Sequence, residues 1–110
     1  MALSDSGVRT VLVTTPDAEV GAEIARDLVA SRLAACVNVI PGIRSVFRWE
    51  GAVQEETEAM LIIKTAAHRC GELAARIHDL HPYDLPEVIE LAATGGSDSY
   101  LAWIGAETRP

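Results

Sequence analysis

The stretch ACVNVIPGIRSVFRW at residues 35–49 decides the fold of this chain. It is rich in Val, Ile and aromatic residues, which predicts a β-strand. The strand would run for roughly 15 residues, whereas most strands have about 3–10. Pro41-Gly42 interrupts it, and because proline in a sheet belongs at an edge or a bulge, we expect a bend at Pro41. Residues 50–52 (Glu-Gly-Ala) then form a turn, and residues 53–65 return as the partner strand of a long hairpin.

The segments on either side of this hairpin alternate between strand and helix patterns. They predict a strand at 8–15, a helix from 16 to about 32 with Thr15 as its N-cap, a helix at about 67–80, a strand at 87–94 and a short closing helix at 98–104. The order β-α-β-β-α-β predicts an α+β fold of the ferredoxin-like, split βαβ type, with both main helices on one face of an antiparallel four-stranded sheet. We expect residues 1–7 to be a flexible tail and residues 8–110 to be a single domain.

The composition argues against several function classes. The chain has 49% hydrophobic and 23% charged residues, which is typical of folded globular proteins. A net charge of −7 does not suit a nucleic-acid partner, because phosphate binding needs a basic surface. No apolar run is long enough to cross a bilayer, so we expect no membrane partner. Two cysteines without a signal peptide predict a reduced, cytoplasmic protein.

The outer half of the hairpin would extend beyond the shorter strands of the sheet. It carries apolar side chains that a monomer leaves in water: Val46, Phe47, Trp49 and Val53. Long apolar edges normally pair with another surface, and a cyclic homo-oligomer is the simplest way to cover this one. The alternative is that the closing helix covers the hairpin within one chain through Leu101, Trp103 and Ile104.

Six phrases of the sequence together resemble the CutA (divalent-cation tolerance) family. They are LVTTPD at 12–17, ACVNVIPG at 35–42, FRWEG at 47–51, IIKT at 62–65, HPYDLPE at 81–87 and YLAW at 100–103. They occur in family order over about residues 8–105. The resemblance implies a ferredoxin-like fold, a homotrimer and an association with divalent metal ions, copper especially. It also implies a likeness to PII signalling proteins and, in bacteria, a cytoplasmic location.

The loop at residues 81–87 carries the densest group of polar side chains. It holds an imidazole, a phenol and two carboxylates, and its two prolines restrict the backbone. Imidazole with carboxylate suits Cu(II), Zn(II) or another borderline divalent cation, so His81 and Glu87 are candidate metal ligands. The alternative is a rigid connector in which Tyr83 and Glu87 make structural hydrogen bonds, including bonds across a subunit interface.

Cys36 is the third candidate metal ligand. It shares a strand face with Asn38. A tight turn at residues 50–51 places Lys64 opposite Val37, diagonal to both of these side chains, and a nearby lysine favours the thiolate that a soft metal needs. A one-residue shift in register would move Lys64 to the other face. The alternative is a buried, inert cysteine.

The resemblance also bears on the metal ligands. Family members proposed to bind copper do so partly through a cysteine in the first strand and a second histidine before the His-Pro-Tyr motif. Those two positions hold Val13 and Leu80 here. Only His81 remains from that arrangement, so a strong copper site would need ligands from neighbouring subunits.

Two functions from different classes remain. The first is a homotrimer that binds divalent metal ions, copper among them, and contributes to metal tolerance and response. The second is a PII-like regulatory module that binds a small organic ligand or a protein partner in inter-subunit clefts, for which the candidate residues are Lys64, Tyr83, Asn38 and Trp49. The sequence has no P-loop, Cys-x-x-Cys or other catalytic motif, so we expect neither an enzyme nor an organic cofactor.

Overall fold

The structure is a computed structural model, and it describes residues 4–110. The strands are β1 (Val8–Thr15), β2 (Cys36–Trp49), β3 (Ala52–Ala66) and β4 (Ile89–Ala92), and the helices are α1 (Ala18–Ala30), α2 (Cys70–Leu80) and α3 (Asp98–Glu107). With 14 and 15 residues, β2 and β3 form the long hairpin that the sequence predicts. The last strand is shorter than the predicted span 87–94, because only four of its residues pair with β1.

The four strands form one antiparallel sheet in the order β2-β3-β1-β4. The buried core lies on one face of this sheet, where β1 and β3 meet the two longer helices. It includes Val11, Val13, Leu61 and Ile63 from the sheet, Ile24 and Leu28 from α1, and Leu73 and Ile77 from α2. Both of these helices therefore cover the same face, and the prediction of a ferredoxin-like α+β fold is confirmed.

A bulge in the middle of β2 sets the register of the hairpin. On the turn side Ile43 pairs with Glu58, and on the other side Ile40 pairs with Met60. Two residues of β2, a proline and a glycine, therefore lie opposite one residue of β3. Gly42 has a φ of +69°, a conformation that a residue without Cβ adopts at no steric cost. The bulge adds one residue to β2 and so shifts every pair beyond it by one.

This shift corrects the predicted position of Lys64. The sequence places Lys64 opposite Val37, which is the register of a hairpin without a bulge. In the structure Lys64 pairs with Cys36. Directly opposed residues share a face, so Lys64 lies on the face of Cys36 and Asn38, and its Nζ donates a hydrogen bond to Asn38 Oδ1.

The N-cap of the first helix lies two residues after the predicted one. The N-cap residue is Asp17, whose carboxylate accepts a hydrogen bond from the backbone N–H of Val20 at 2.8 Å. Thr15 was predicted as the cap, but it is the last residue of β1, and its hydroxyl donates to the backbone oxygen of Asp17. The proline between them allows the chain to turn from strand into helix.

The segment before β1 is hydrogen-bonded to the sheet from Ser6 onward. The backbone N–H and the hydroxyl of Ser6 both donate to the oxygen of Ala93, at 3.1 and 2.6 Å. The oxygen of Gly7 accepts from the N–H of Ala67 at 2.8 Å. These contacts anchor part of the predicted flexible tail, whose residues 1–3 lie outside the described residues.

The face of the sheet opposite the core is covered by α3 at one end only. There Ile104 packs with Val8 and Ala35. The rest of this surface, which we call the open face, has no helix over it among the described residues. Its side chains follow from strand alternation and include Cys36, Asn38, Ile40, Leu12, Met60, Ile62, Lys64, Ile89 and Leu91.

Candidate functional site

The outer part of the hairpin, residues 43–58, projects beyond the sheet, and we call it the arm. A cleft of about 880 Å³ lies between the arm and residues 83–87 of the loop that follows α2. Aromatic and apolar side chains form much of its wall: Phe47, Trp49, Ile43, Met60, Tyr83, Leu85 and Pro86. Four carboxylate residues also line it: Glu56, Glu58, Asp84 and Glu87. A volume of this size is typical of small-molecule sites.

His81 fixes the start of the loop that forms one wall of the cleft. It is 7% exposed, and its Nδ1 accepts a hydrogen bond from the backbone N–H of Tyr83 at 3.1 Å. Its Nε2 lies 2.7 Å from the backbone oxygen of Thr14. Since a carbonyl oxygen only accepts, Nε2 carries the proton and the ring is the neutral Nε2–H tautomer. Both ring nitrogens are therefore used to hold the backbone.

Glu58 is the most buried acidic residue of the cleft. It is 7% exposed, and the hydroxyl of Tyr83 donates to its Oε2 at 2.9 Å. Burial and the Glu58 carboxylate raise the pKa of Tyr83 to about 12, so the phenol stays a neutral donor. The Tyr83 ring also lies 4.7 Å from the ring of His81, measured between centroids. Tyr83 thus joins β3 to the loop.

Glu87 adds a second carboxylate close to Glu58. Burial raises the pKa of Glu87 above its ordinary value, and the negative charge of Glu58 raises it further. The ion pairs formed within residues 4–110 involve neither of these carboxylates. The cleft therefore holds two partly desolvated carboxylates without a basic side chain beside them.

Two arginines also border the cleft, but they leave β2 on the other side of the arm. Arg44 pairs with Thr57 and Arg48 pairs with Val53, in alternation with the residues whose side chains share the face of Glu58. Both arginines are exposed. Glu56 and Glu58 therefore share the cleft side of the arm, and the two arginine side chains leave the arm from its other side.

The second group of predicted residues lies elsewhere on the open face. Cys36 and Lys64 are paired near one end of β3, whereas His81 bonds to Thr14, which pairs with Met60 near the middle of the strand. Four residues of β3 separate these two positions, which corresponds to roughly 13 Å along the strand. Cys36 is half-buried and its thiol is free.

The predicted metal ligands therefore do not form a site within one chain. The nitrogens of His81 are engaged by backbone groups, and the thiol of Cys36 points from a distant part of the sheet. In the part of the chain that the structure describes, no three His, Cys, Asp or Glu side chains are arranged to hold a metal ion. Val13 and Leu80 belong to or pack against the core, so they leave no polar group at the two positions that differ from the copper-binding pattern.

Of the predicted cleft residues, Tyr83 and Trp49 line this cleft, while Lys64 and Asn38 do not; the predicted metal ligand Glu87 lines it as well. The main residue that the sequence analysis missed is Glu58. The alternation of β3 does predict that Glu56 and Glu58 share one face of the strand. It does not predict that Glu58 is buried, because an acidic residue near the end of a hairpin is usually in contact with water. Its burial depends on Tyr83, which is 25 residues away in sequence.

These features define a ferredoxin-like α+β protein with a projecting arm, an open sheet face and an acidic, aromatic cleft. A family model described as "CutA1 divalent ion tolerance protein" matches residues 9–107. The chain belongs to this family, which confirms the resemblance of the six phrases. No helix of residues 4–110 is both long and apolar enough to span a bilayer.

Relatives with curated names and solved structures agree with this assignment. The "Divalent-cation tolerance protein CutA" of Thermus thermophilus is 45% identical over 98 residues, which cover 89% of this chain and 95% of the relative. "Protein CutA, chloroplastic" of Arabidopsis thaliana is 50% identical over 99 residues, or 90% of this chain, and the match spans about half (54%) of that longer protein. A solved structure of the divalent cation tolerance protein Cut A1 from Thermus thermophilus superimposes with a TM-score of 0.91 at 43% identity, covering 93% of this chain and 99% of the other.

Proposed function

We propose that this chain acts as a homotrimeric binding protein that takes up divalent cations, copper among them, and contributes to tolerance of and response to metal ions. Membership of a divalent ion tolerance family supports a role that involves divalent cations. The observation that carries the assembly is the open face of the sheet, which continues onto the arm. The number of three subunits follows the family resemblance of the sequence.

The open face and the arm leave large apolar side chains in water in a single chain. Their exposed fractions range from 41% to 64% in Ile40, Trp49, Leu91, Ile89, Val46 and Val53. The exposed apolar residues of the open face are typical of a protein interface, and Val46 and Val53 add exposed apolar groups on the other side of the arm. Within residues 4–110 the outer edges of β2 and β4 also have no strand partner, and unpaired edges are commonly covered by another chain. A closed ring of identical chains would cover all copies of this surface equally.

Analytical ultracentrifugation of matched lysine variants tests the assembly. We expect the wild-type protein to sediment at three times the chain mass of 11.8 kDa. Leu91→Lys puts a charge on the open face, and Val29→Lys puts the same charge on α1, at a residue of similar exposure. Leu91→Lys should dissociate the trimer, whereas Val29→Lys should leave it intact. A wild-type mass of one chain at every concentration would contradict the proposal.

The cation would bind where ligands from different subunits meet, because Glu87 and Cys36 do not converge within one chain and both nitrogens of His81 are engaged by backbone groups. Isothermal titration calorimetry with Cu(II) and Zn(II) tests this role. We expect saturable binding by the wild-type trimer, weaker binding by Glu87→Gln or Cys36→Ser, and no binding by the dissociated Leu91→Lys variant. Absence of saturable binding by the wild-type protein would remove the cation from the proposal. Binding that survives dissociation would remove the shared site.

A second candidate function is a PII-like regulatory module that binds a small organic ligand or a partner, and the cleft of about 880 Å³ favours it. A native-state ligand raises the melting temperature. A thermal-shift screen with nucleotides, carboxylates and amines therefore separates the two candidates. Stabilisation by an organic compound alone would support the second candidate, and stabilisation by metal ions alone would support the first.

We also propose a binding role without catalysis, in the cytoplasm. Burial, with the nearby Glu90 carboxylate, raises the pKa of the Cys70 thiol to about 12, which leaves it unreactive. Both cysteines are free thiols, which suits a reducing compartment. Rapid alkylation of Cys36 by iodoacetamide would reopen an enzymatic role. Recovery of the protein in a periplasmic fraction would contradict the location.

A further inference from the structure

The cleft between the arm and the loop combines two features that together define a ligand class. Its wall contains the aromatic rings of Phe47, Trp49 and Tyr83, and its inner surface contains the carboxylates of Glu58 and Glu87. Aromatic faces attract cations through their quadrupole, and this attraction increases when the cation is desolvated. Carboxylates attract the same cations by charge.

We propose that this cleft is a binding site for a small organic cation, an ammonium or guanidinium group carried on an apolar or aromatic body. This inference rests on the second candidate function, a module that binds an organic ligand, and it names the chemical class of that ligand.

The position of Glu58 gives the cation its direct partner. Glu58 is 7% exposed, and Tyr83 bonds only to its Oε2. A carboxylate has room for several donors, so Oε1 keeps its accepting capacity. A buried carboxylate is costly unless it is paired. Since no ion pair with Glu58 forms among the described residues, an ammonium group entering the cleft would supply the missing positive charge.

The apolar wall sets the other end of the ligand. Leu85 is 69% exposed and borders the cleft. An apolar or aromatic body would cover this side chain and remove it from water. The volume of about 880 Å³ exceeds what a bare metal ion fills and suits a molecule of several rings or a chain of similar bulk.

The signs of the surrounding charges favour a cation over an anion. Glu56 and Asp84 line the same cleft as Glu58 and Glu87, whereas Arg44 and Arg48 leave β2 on the other side of the arm. An anionic ligand would be repelled by the four acidic residues of the lining, which outnumber its two arginines. Charge complementarity therefore selects the cation.

Three probes of nearly equal shape test the proposal on the full chain: benzylamine, which is a cation at neutral pH, benzyl alcohol, which is neutral, and benzoate, which is an anion. Binding is measured as ¹H–¹⁵N shift changes of cleft amides, including those of Trp49, Glu58 and Tyr83. We expect the cation to bind saturably and at least tenfold more tightly than the alcohol, and benzoate to cause no change.

A pair of isosteric variants on β3 locates the charge. Glu58→Gln keeps the shape and an acceptor for Tyr83, and should weaken benzylamine binding tenfold or more without changing the binding of benzyl alcohol. Glu55→Gln removes one negative charge from the other side of the same strand, where Glu55 pairs with Val46, and should change binding less than twofold.

The outcomes separate this inference from the function on which it rests. Equal binding of the cation and the alcohol, or equal effects of the two variants, would overturn the cation site. Preferred binding of benzoate would do the same while leaving an organic-ligand function in place. If no probe shifts the cleft amides, for instance because a second copy of the chain fills the cleft, the cation site fails, while the organic-ligand function is decided by the thermal-shift screen with nucleotides and carboxylates.

Discussion

The inner half of the β2–β3 hairpin and its outer half differ in what surrounds them. Leu61 and Ile63 on the inner half of β3 are fully buried under α1 and α2. On the outer half, Val46 and Val53 are more than half exposed. Within the arm, the deeply buried residue is Glu58, an acidic residue at the point where β3 enters the sheet.

This contrast assigns the two halves to different tasks. Apolar burial under helices gains free energy in every copy of the chain, so the inner half stabilises the fold. A buried acid costs free energy in the isolated chain, and aromatic rings that stay in water contribute little to its stability. The arm therefore gains most when another molecule, a subunit or a ligand, covers it. Four predictions test this division, in order of decreasing effect.

Leu61→Ala should cause the largest loss, because its side chain is 0% exposed in the core. We expect the free energy of unfolding to fall by about 2–5 kcal/mol in a urea titration. Leu91→Ala removes the same groups from the open face. If subunits cover that face, its cost should shrink as the protein is diluted below its association range, while the cost of Leu61→Ala stays constant. Two losses that respond alike to dilution would contradict the division.

His81→Leu should cost about 2 kcal/mol, because it leaves the Thr14 oxygen and the Tyr83 N–H without their partner. His78→Leu is the control, since His78 is exposed on α2. ¹⁵N NMR of the wild-type ring should report the Nε2–H tautomer. A ring with its proton on Nδ1 would disprove the hydrogen-bond assignment.

Gly21→Ala and Gly71→Ala should have opposite signs, although both lie in helices. A Cβ at Gly21 would lie 2.9 Å from Thr15 Oγ1 and 3.0 Å from Leu61 Cδ2, so we expect a loss of about 1–3 kcal/mol. A Cβ at Gly71 meets nothing within 4 Å, and alanine there should gain about 0.5–1 kcal/mol. Thermal unfolding of both variants checks this. Stabilisation by Gly21→Ala would show that α1 does not pack so closely on the sheet.

Glu87→Gln should have the smallest effect and a defined pH dependence. A carboxyl group whose pKa is raised in the folded protein binds its proton more tightly there than in the unfolded chain, so stability falls as the pH rises above its ordinary value of 4.5. The variant removes this loss. We therefore expect it to melt at a higher temperature than the wild type at pH 7 and at nearly the same temperature at pH 3.5. The exposed Glu55→Gln is the control, and a gain that is independent of pH would contradict the cause.

The fold could be predicted further than the site. Strand alternation and helix periodicity depend on neighbours in sequence, so the order of elements was predictable. The register of Lys64 was not, because it depends on whether the chain at Gly42 adds one residue to the pairing. The bend at Pro41 was predicted, but the extra residue that the bulge adds to β2 was not.

The candidate site shows the same difference between what local sequence predicts and what depends on contacts between distant residues. Tyr83, Glu87 and Trp49 stood out as polar or aromatic residues in motifs, and they do line one cleft. His81 also stood out, but only the structure shows that its two nitrogens hold backbone groups. Glu58 did not stand out, because nothing near it in sequence indicates that Tyr83 will cover it.

By itself, the sequence determined the α+β class, the long hairpin and the family, since each is written in local patterns or contiguous motifs. The tertiary structure alone decided which of those residues face each other. It separated Cys36 from His81 by four residue positions along β3 and brought Glu58 under Tyr83. The physical reason is that a site depends on distances between groups far apart in the chain, which are set by register and packing.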